Sequence, residues 1–134
     1  MVSSVRTEAY VIDSFAWFEY FLGSTWGERA RPFIESGKGI TPTIVVAELS
    51  EKYIRARIPF SDDLNFICMK TRVLPLDTEI ATSAGVLSHE RKSKVKRWGL
   101  ADSIVLATAK ANDAKVVTGD EHFRDLATDS IMIK

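Results

Sequence analysis

Four acidic side chains in this sequence have the chemical type and the placement to hold a divalent cation. Asp13 follows a short apolar run, and Glu48 lies in a stretch with helical periodicity. Asp102 and Asp120 flank one apolar segment. Carboxylates crowded together repel, at about 4 kcal/mol for a pair about 4 Å apart at an effective dielectric constant near 20. A hard cation such as Mg²⁺ or Mn²⁺ offsets that repulsion, because such ions prefer carboxylate oxygens.

The spacing of Asp102 and Asp120 predicts that these two acids are neighbours in the fold. The sequence between them predicts a buried helix over residues 102–111 and a returning strand over residues 115–118. The helix would be roughly 15 Å long at about 1.5 Å per residue. The strand, counted to Gly119, would cover roughly 16 Å at about 3.3 Å per residue. Because the two lengths match, Asp120 should return to the end of the fold where Asp102 began.

The remaining elements alternate between strands and helices, which predicts an α/β sandwich with a mainly parallel sheet. Further strands are predicted over residues 9–12, 39–41, 72–76 and 131–133. Further helices are predicted over residues 15–22, 25–36, 43–57, 77–88 and 124–127, with one more capped by Ser61. Ligands of such folds bind outside the carboxyl ends of the strands. Asp13 and Asp120 are both expected at that edge.

Each acid also has an ordinary structural interpretation. Asp13 and Asp102 are suitable N-caps for the helices that follow them. Glu48 follows Val45 at helical spacing and fits the margin of an apolar helix face. Asp120 follows Gly119 and fits a turn. The combination favours a shared site, because three of the four acids independently project to one edge of the sheet.

Four stretches of the sequence together resemble a known family. They are YVIDSFAW around Asp13, TPTIVVAELSEKY around Glu48, WGLADSIVLATA around Asp102 and VVTGDEHF around Asp120. In this order and spacing, they make the chain similar to PIN-domain proteins, most of all to the single-domain VapC-type toxins of prokaryotic toxin–antitoxin pairs. The resemblance covers essentially the whole chain. It implies a single PIN-like domain over residues 1–134, a three-layer α/β/α sandwich.

The resemblance also implies a function, a ribonuclease directed at single-stranded RNA, with an acidic pocket that binds Mg²⁺ or Mn²⁺. The family's catalytic acids correspond here to Asp13, Glu48, Asp102 and Asp120, and its supporting hydroxyl corresponds to Thr118. We expect the first three acids to ligate the metal directly. The fourth is expected to ligate through water or to orient the nucleophile, and the number of metal ions stays open.

The same resemblance implies protein partners, namely a second copy of the chain and a small antitoxin. The antitoxin would place a segment in a groove beside the site. The aromatic helix over residues 15–22 is the expected lining of that groove, with full burial in the core as the alternative. An RNA-processing PIN nuclease without an antitoxin, and a PIN module that binds RNA or protein without cutting, remain alternatives. A haloacid-dehalogenase-type phosphotransfer domain is disfavoured, because Phe15 stands where its second Asp is required. A receiver domain is also disfavoured, because the sequence shows no clear pair of a phosphoacceptor Asp at the end of a middle strand and a Lys near a later strand.

One segment before the Asp102 helix is markedly basic. Its cations are Arg91, Lys92, Lys94, Lys96 and Arg97. They fit either a strip that contacts RNA phosphates or a solvated helix end. Trp98 fits packing better than base stacking. His122 is a candidate general base, although a surface or helix-start position is the favoured interpretation for it, and His89 is interpreted as a surface residue.

Composition bounds the remaining possibilities. A chain of 134 residues suits one domain, and a formal net charge of zero gives no overall attraction to nucleic acid or membrane. The single Cys68 excludes an internal disulfide, and its apolar neighbours predict a thiol in the core. Residues 1–8 lack the apolar run of a signal peptide, and no stretch is long enough to span a membrane. The expected location is therefore the cytoplasm.

Overall fold

The structure is a computed structural model that describes residues 8–134. The expectation that residues 1–8 carry no signal peptide falls outside these residues, except for Glu8. Within residues 8–134, no helix is long and apolar enough to cross a membrane.

Five strands form one all-parallel sheet in the order β3-β2-β1-β4-β5. The strands are β1 (Ala9–Ile12), β2 (Gly39–Pro42), β3 (Arg72–Leu74), β4 (Ala114–Thr118) and β5 (Ser130–Met132). Six helices flank the sheet: α1 (Ser14–Leu22), α2 (Thr25–Ile34), α3 (Thr43–Ala56), α4 (Ser61–Lys70), α5 (Thr78–Lys92) and α6 (Leu100–Ala111). The predicted α/β sandwich with a parallel sheet is confirmed.

The centre of the sheet is apolar on both faces, as expected for parallel strands covered by helices. Val11 and Ile12 of β1 and Val116 and Val117 of β4 are fully buried. These β-branched side chains suit extended backbone, because their restricted χ1 angles fit the pleated surface.

The strand order places a topological switch point between β1 and β4. The chain leaves β1 toward β2 on one side, and it returns later to β4 on the other side. In open α/β sheets, a crevice forms outside the carboxyl ends of the strands at such a point. Asp13 directly follows β1, and Asp120 lies two residues beyond β4. The sheet therefore brings these two acids to the edge that was expected.

Helix α6 begins two residues earlier than predicted. Gly99 is its N-cap, and the Asp102 carboxylate accepts a hydrogen bond from the Gly99 backbone N–H at 2.9 Å. Asp102 therefore satisfies a backbone donor from within the first turn and is not the N-cap itself. Every residue from Ser103 to Ala109 is buried, which confirms the predicted burial of this helix.

Several element boundaries differ from the prediction. Helix α5 continues to Lys92 and so takes in the start of the basic segment. The predicted helix over residues 124–127 is absent, and a short 3₁₀ helix, Glu121–Phe123, lies just before it.

The predicted core position of Cys68 is wrong. The thiol is exposed on α4, where Ile67 is the buried residue. Consecutive helix positions point about 100° apart, so the burial of Ile67 turns its neighbour outward.

A close contact joins α1 to the end of β4. A Cβ atom added to Gly119 would lie 2.2 Å from Cε1 of Phe15. Only glycine allows the backbone to approach the Phe15 ring this closely. The contact brings the loop that carries Asp120 against the helix that begins beside Asp13.

Candidate metal centre

All four predicted acids share one electrostatic environment. The Asp13 carboxylate is repelled by Asp120 and Glu48, and the Glu48 carboxylate by Asp102 and Asp120. They come from four separate elements: the starts of α1 and the 3₁₀ helix, the middle of α3 and the first turn of α6. The structure therefore gathers the acids at the carboxyl edge of the sheet.

Asp13 is buried and has two neutral hydrogen-bond donors. Its Oδ1 accepts the Ala16 backbone N–H at 2.8 Å, which makes it the N-cap of α1, and its carboxylate also accepts the Thr118 hydroxyl. Burial raises the pKa of Asp13 to about 7, although these two hydrogen bonds act against the shift. The interpretation of Asp13 as a helix cap is thus correct, and this cap is also one of the four acids gathered at the edge of the sheet.

Thr118 links two of the acids. Its hydroxyl donates to Asp13 while its Oγ1 accepts the backbone N–H of Asp120 at 2.9 Å. Thr118 is fully buried, so neither bond competes with solvent. This position fits the supporting hydroxyl that the family resemblance implied.

Glu48 lies in α3 and is half-buried. Burial raises the pKa of its carboxyl, and the Ser14 hydroxyl that donates to it acts in the opposite direction. Ser14 therefore contacts this group of acids, while Asp13 holds the N-cap position of α1.

The His122 side chain contacts two of the four acids. Its Nδ1 lies 3.1 Å from Oδ2 of Asp102 and 3.6 Å from Oδ1 of Asp120. Asp102, Asp120 and His122 can each offer one ligand atom, and these atoms lie within 4.8 Å of one another. His122 lies in the middle of the short 3₁₀ helix, and its ring faces the acids. Its position two residues after Asp120 was the sequence signal for this proximity.

Arg91 does not belong to an exposed cationic strip. It is buried, and its guanidinium pairs with both carboxylate oxygens of Asp125, at 2.7 and 2.9 Å. It also donates to the His122 carbonyl at 2.9 Å and lies 4.4 Å from the ring centre of Trp98. The Arg91 guanidinium keeps the pKa of Asp125 below its ordinary value. The prediction that Arg91 contacts RNA is therefore wrong in this geometry, because its donors are already directed inward.

The other cations of the basic segment are exposed, and Trp98 and His89 occupy the environments that the sequence predicts. Lys92, Lys94, Lys96 and Arg97 are exposed. Trp98 is buried and donates its indole N–H to the Ser103 hydroxyl at 2.6 Å, which confirms packing over stacking. His89 is exposed, as predicted.

The donor set fits a divalent cation. Carboxylate oxygens are the ligands that Mg²⁺ and Mn²⁺ prefer, and an imidazole nitrogen is a further ligand for transition metals. The cluster combines both donor types. A bound cation would also relieve the mutual repulsion that acts on Asp13 and Glu48.

Fold and site together define an α/β protein with a cluster of carboxylates at the switch point of its sheet. The family model described as PIN domain matches residues 10–129, and the chain therefore belongs to the PIN-domain family. Among curated proteins, none matches the chain in sequence.

Solved structures share this fold over nearly the whole chain. A toxin–antitoxin complex from Klebsiella pneumoniae has a TM-score of 0.76 at 16% identity and covers 94% of this chain and 98% of that chain. DNA-bound VapBC from Salmonella typhimurium has a TM-score of 0.70 at 18% identity, covering 96% and 100%. FitAcB from Neisseria gonorrhoeae has a TM-score of 0.65 at 22% identity, covering 92% and 96%. At these identities, the similarity shows the fold alone.

The raised pKa of Asp13 predicts how the metal-free protein responds to pH. Its folded-state pKa of about 7 lies above the value of about 3.9 in an unfolded chain. The folded state therefore holds a proton that the unfolded state releases. The stability from this group is complete below about pH 4 and is lost as the pH rises through about 7. In EDTA, the free energy of unfolding of the wild type, measured in urea, should fall between pH 5 and pH 8.

Asp13→Asn should flatten this fall, because its side chain does not titrate and its oxygen can still accept the Ala16 N–H. The variant should also be more stable than the wild type above pH 7. Asp62→Asn, at an exposed acid of α4, is the matched control and should keep the wild-type slope. An unchanged slope in Asp13→Asn would show that this carboxyl is already ionised in the folded protein.

Proposed function

We propose that the chain is a metal-dependent endoribonuclease of the VapC toxin type, which hydrolyses single-stranded or loop RNA. The observation that supports this best is the gathering of Asp13, Glu48, Asp102 and Asp120 at the switch point of a PIN-domain sheet. All four acids that the family resemblance requires are present. Solved structures with this fold also include toxin–antitoxin complexes.

In this proposal, Asp13, Glu48 and Asp102 hold Mg²⁺ or Mn²⁺ directly. Such an ion supplies a water of lowered pKa and stabilises negative charge on the phosphate. Asp120 ligates through water or orients the attacking water. The Thr118 hydroxyl holds Asp13 and the Asp120 loop together by hydrogen bonds to both, and the Ser14 hydroxyl orients Glu48.

Amide variants of the acids test the proposed chemistry. Asp13→Asn, Glu48→Gln, Asp102→Asn and Asp120→Asn should each slow cleavage of a single-stranded RNA by roughly 10²–10³-fold, the scale of losing one group that stabilises transition-state charge. EDTA should abolish cleavage by the wild type, and Mg²⁺ or Mn²⁺ should restore it. Rates come from labelled RNA resolved on gels at matched metal concentration.

The same assay separates the alternative functions. Asp62→Asn should cleave like the wild type, and circular dichroism should show that every variant is folded. Undiminished cleavage in two of the four acid variants would remove this site. RNA binding without cleavage by the metal-loaded wild type would favour a non-cleaving PIN module.

We propose that the exposed part of the basic segment contacts RNA phosphates. Lys92 ends α5, and Lys94, Lys96 and Arg97 lie between α5 and the start of α6, whose first turn carries Asp102. Their exposure leaves them accessible to a polyanion. Because the chain has no net charge, attraction to RNA must come from such a local patch.

Replacement of Lys94, Lys96 and Arg97 by Ala should weaken RNA binding and reduce its dependence on salt. Each lost phosphate contact in a single strand removes about 0.7 from the slope of log K against log salt, so the slope should fall by roughly 2. The matched control replaces Lys38, Lys70 and Arg72, three exposed cations near the amino ends of β2 and β3. An equal fall in the control, or no fall in the first variant, would make the segment a solvated surface.

We also propose that the chain forms homodimers and binds a small antitoxin protein, with part of α1 lining the groove beside the site. Trp17 is fully buried, whereas Phe15, Phe18, Tyr20 and Phe21 are partly buried against the core. Aromatic side chains that keep some exposed surface suit a protein interface. We also propose the cytoplasmic location that the sequence predicts.

Hydrogen exchange locates the antitoxin. Protection of residues 15–21 should rise when the product of the neighbouring gene is added, while the already buried residues 103–109 of α6 serve as the internal reference. Binding without any change at residues 15–21 would place the groove elsewhere. A neighbouring gene whose product does not bind would favour an RNA-processing PIN nuclease without an antitoxin.

A further inference from the structure

Building on the metal centre of the proposed ribonuclease, we propose that His122 ligates the metal directly together with Asp102, beside Asp120. The imidazole nitrogen makes the site prefer Mn²⁺ over Mg²⁺. The family resemblance assigns the metal to carboxylates alone, so this role goes beyond it.

The first support is the direction of the imidazole ring. Its Nδ1 faces two carboxylates at once, at 3.1 Å from Asp102 and 3.6 Å from Asp120. The ligand atoms of these three residues lie within 4.8 Å of one another. The His122 side chain is only 26% exposed. A surface histidine on a short helix has no need of this direction, since water can satisfy its nitrogens.

The second support is that the backbone of His122 is fixed on both sides. Its N–H donates to Oδ1 of Asp120 at 2.9 Å, and its carbonyl accepts from the Arg91 guanidinium at 2.9 Å. Arg91 is itself held by its double hydrogen bond to Asp125 and by the face of Trp98. Ligands that are positioned before the ion arrives lose little conformational freedom on binding it.

Trp98 connects the Arg91 side chain to α6, the helix that carries Asp102. Its indole N–H bonds to Ser103, which neighbours Asp102 in the first turns of α6. Arg91 therefore braces the His122 segment against the Trp98 side chain, which is in turn anchored to α6. Histidine and aspartate are thus held by one connected set of contacts.

The chemistry of the two ions gives this arrangement a measurable consequence. Mg²⁺ prefers oxygen ligands and keeps several of its waters, whereas transition metals accept imidazole nitrogen readily. Loss of the nitrogen should therefore weaken Mn²⁺ binding more than Mg²⁺ binding. If His122 only pairs with Asp102 by a hydrogen bond, both affinities should change together.

Pulsed electron paramagnetic resonance of the Mn²⁺-loaded protein, without RNA, tests the ligand directly. The wild type should show the ¹⁴N coupling of a coordinated imidazole. The sequence contains two histidines, so the coupling should persist in His89→Gln and vanish in His122→Gln. Titration calorimetry should show the ratio of Mn²⁺ to Mg²⁺ affinity falling at least about tenfold in His122→Gln and remaining unchanged in His89→Gln.

The outcomes separate this role from the proposed function. Mn²⁺ binding without imidazole coupling in the wild type overturns the ligand role and leaves the carboxylate centre intact, and this reading needs no variant. An unchanged affinity ratio in a folded His122→Gln also overturns it. A wild type that binds neither ion removes the metal centre, and with it both proposals.

Discussion

The structure depends on holding carboxylates together at the carboxyl edge of β1 and β4. One of them, Asp13, is buried, and its neighbours Glu48 and Asp120 repel its charge. The protein provides local donors that limit this cost without neutralising it: the start of α1, the Thr118 hydroxyl and the Ser14 hydroxyl. Burial still dominates, and the pKa of Asp13 is raised to about 7. Strongly shifted pKa values of this kind cluster at functional sites.

Packing away from the charges makes this arrangement possible. The paired strands β1 and β4 fix the level of Asp13 and Asp120, since their register pairs the fully buried Val11 with Val116 and Ile12 with Val117. Gly119 then lets the loop pass beside the Phe15 ring. Apolar contacts thus fix the backbone positions of Asp13 and Asp120, and these contacts depend neither on pH nor on a bound ion.

Local patterns predicted much of the fold and the acidic part of the site. Strand–helix alternation gave the parallel sheet, and the matched lengths of α6 and β4 placed Asp120 near Asp102. The Arg91–Asp125 pair could not be predicted, because its partners lie 34 positions apart and Arg91 resembles its exposed neighbours in sequence. Burial of Cys68 was overestimated, because an apolar neighbourhood does not show which face of α4 meets the core. The proximity of His122 to Asp102 could not be predicted, because only the three-dimensional path of the 3₁₀ helix turns the imidazole ring toward that carboxylate.

The basic segment over residues 91–97, which begins in the last turn of α5, contains cations in two different environments. Its cations from Lys92 onward point to solvent, where charge acts on a partner over several ångströms and weakens with salt. Arg91, one position earlier, is buried at the end of α5 and bonds to the backbone of His122. A polyanion held by the exposed cations would therefore lie beside the helix end that bonds to the His122 backbone. A buried and an exposed cation thus occupy adjacent positions at one helix end, and a sequence pattern of charge alone could not separate them.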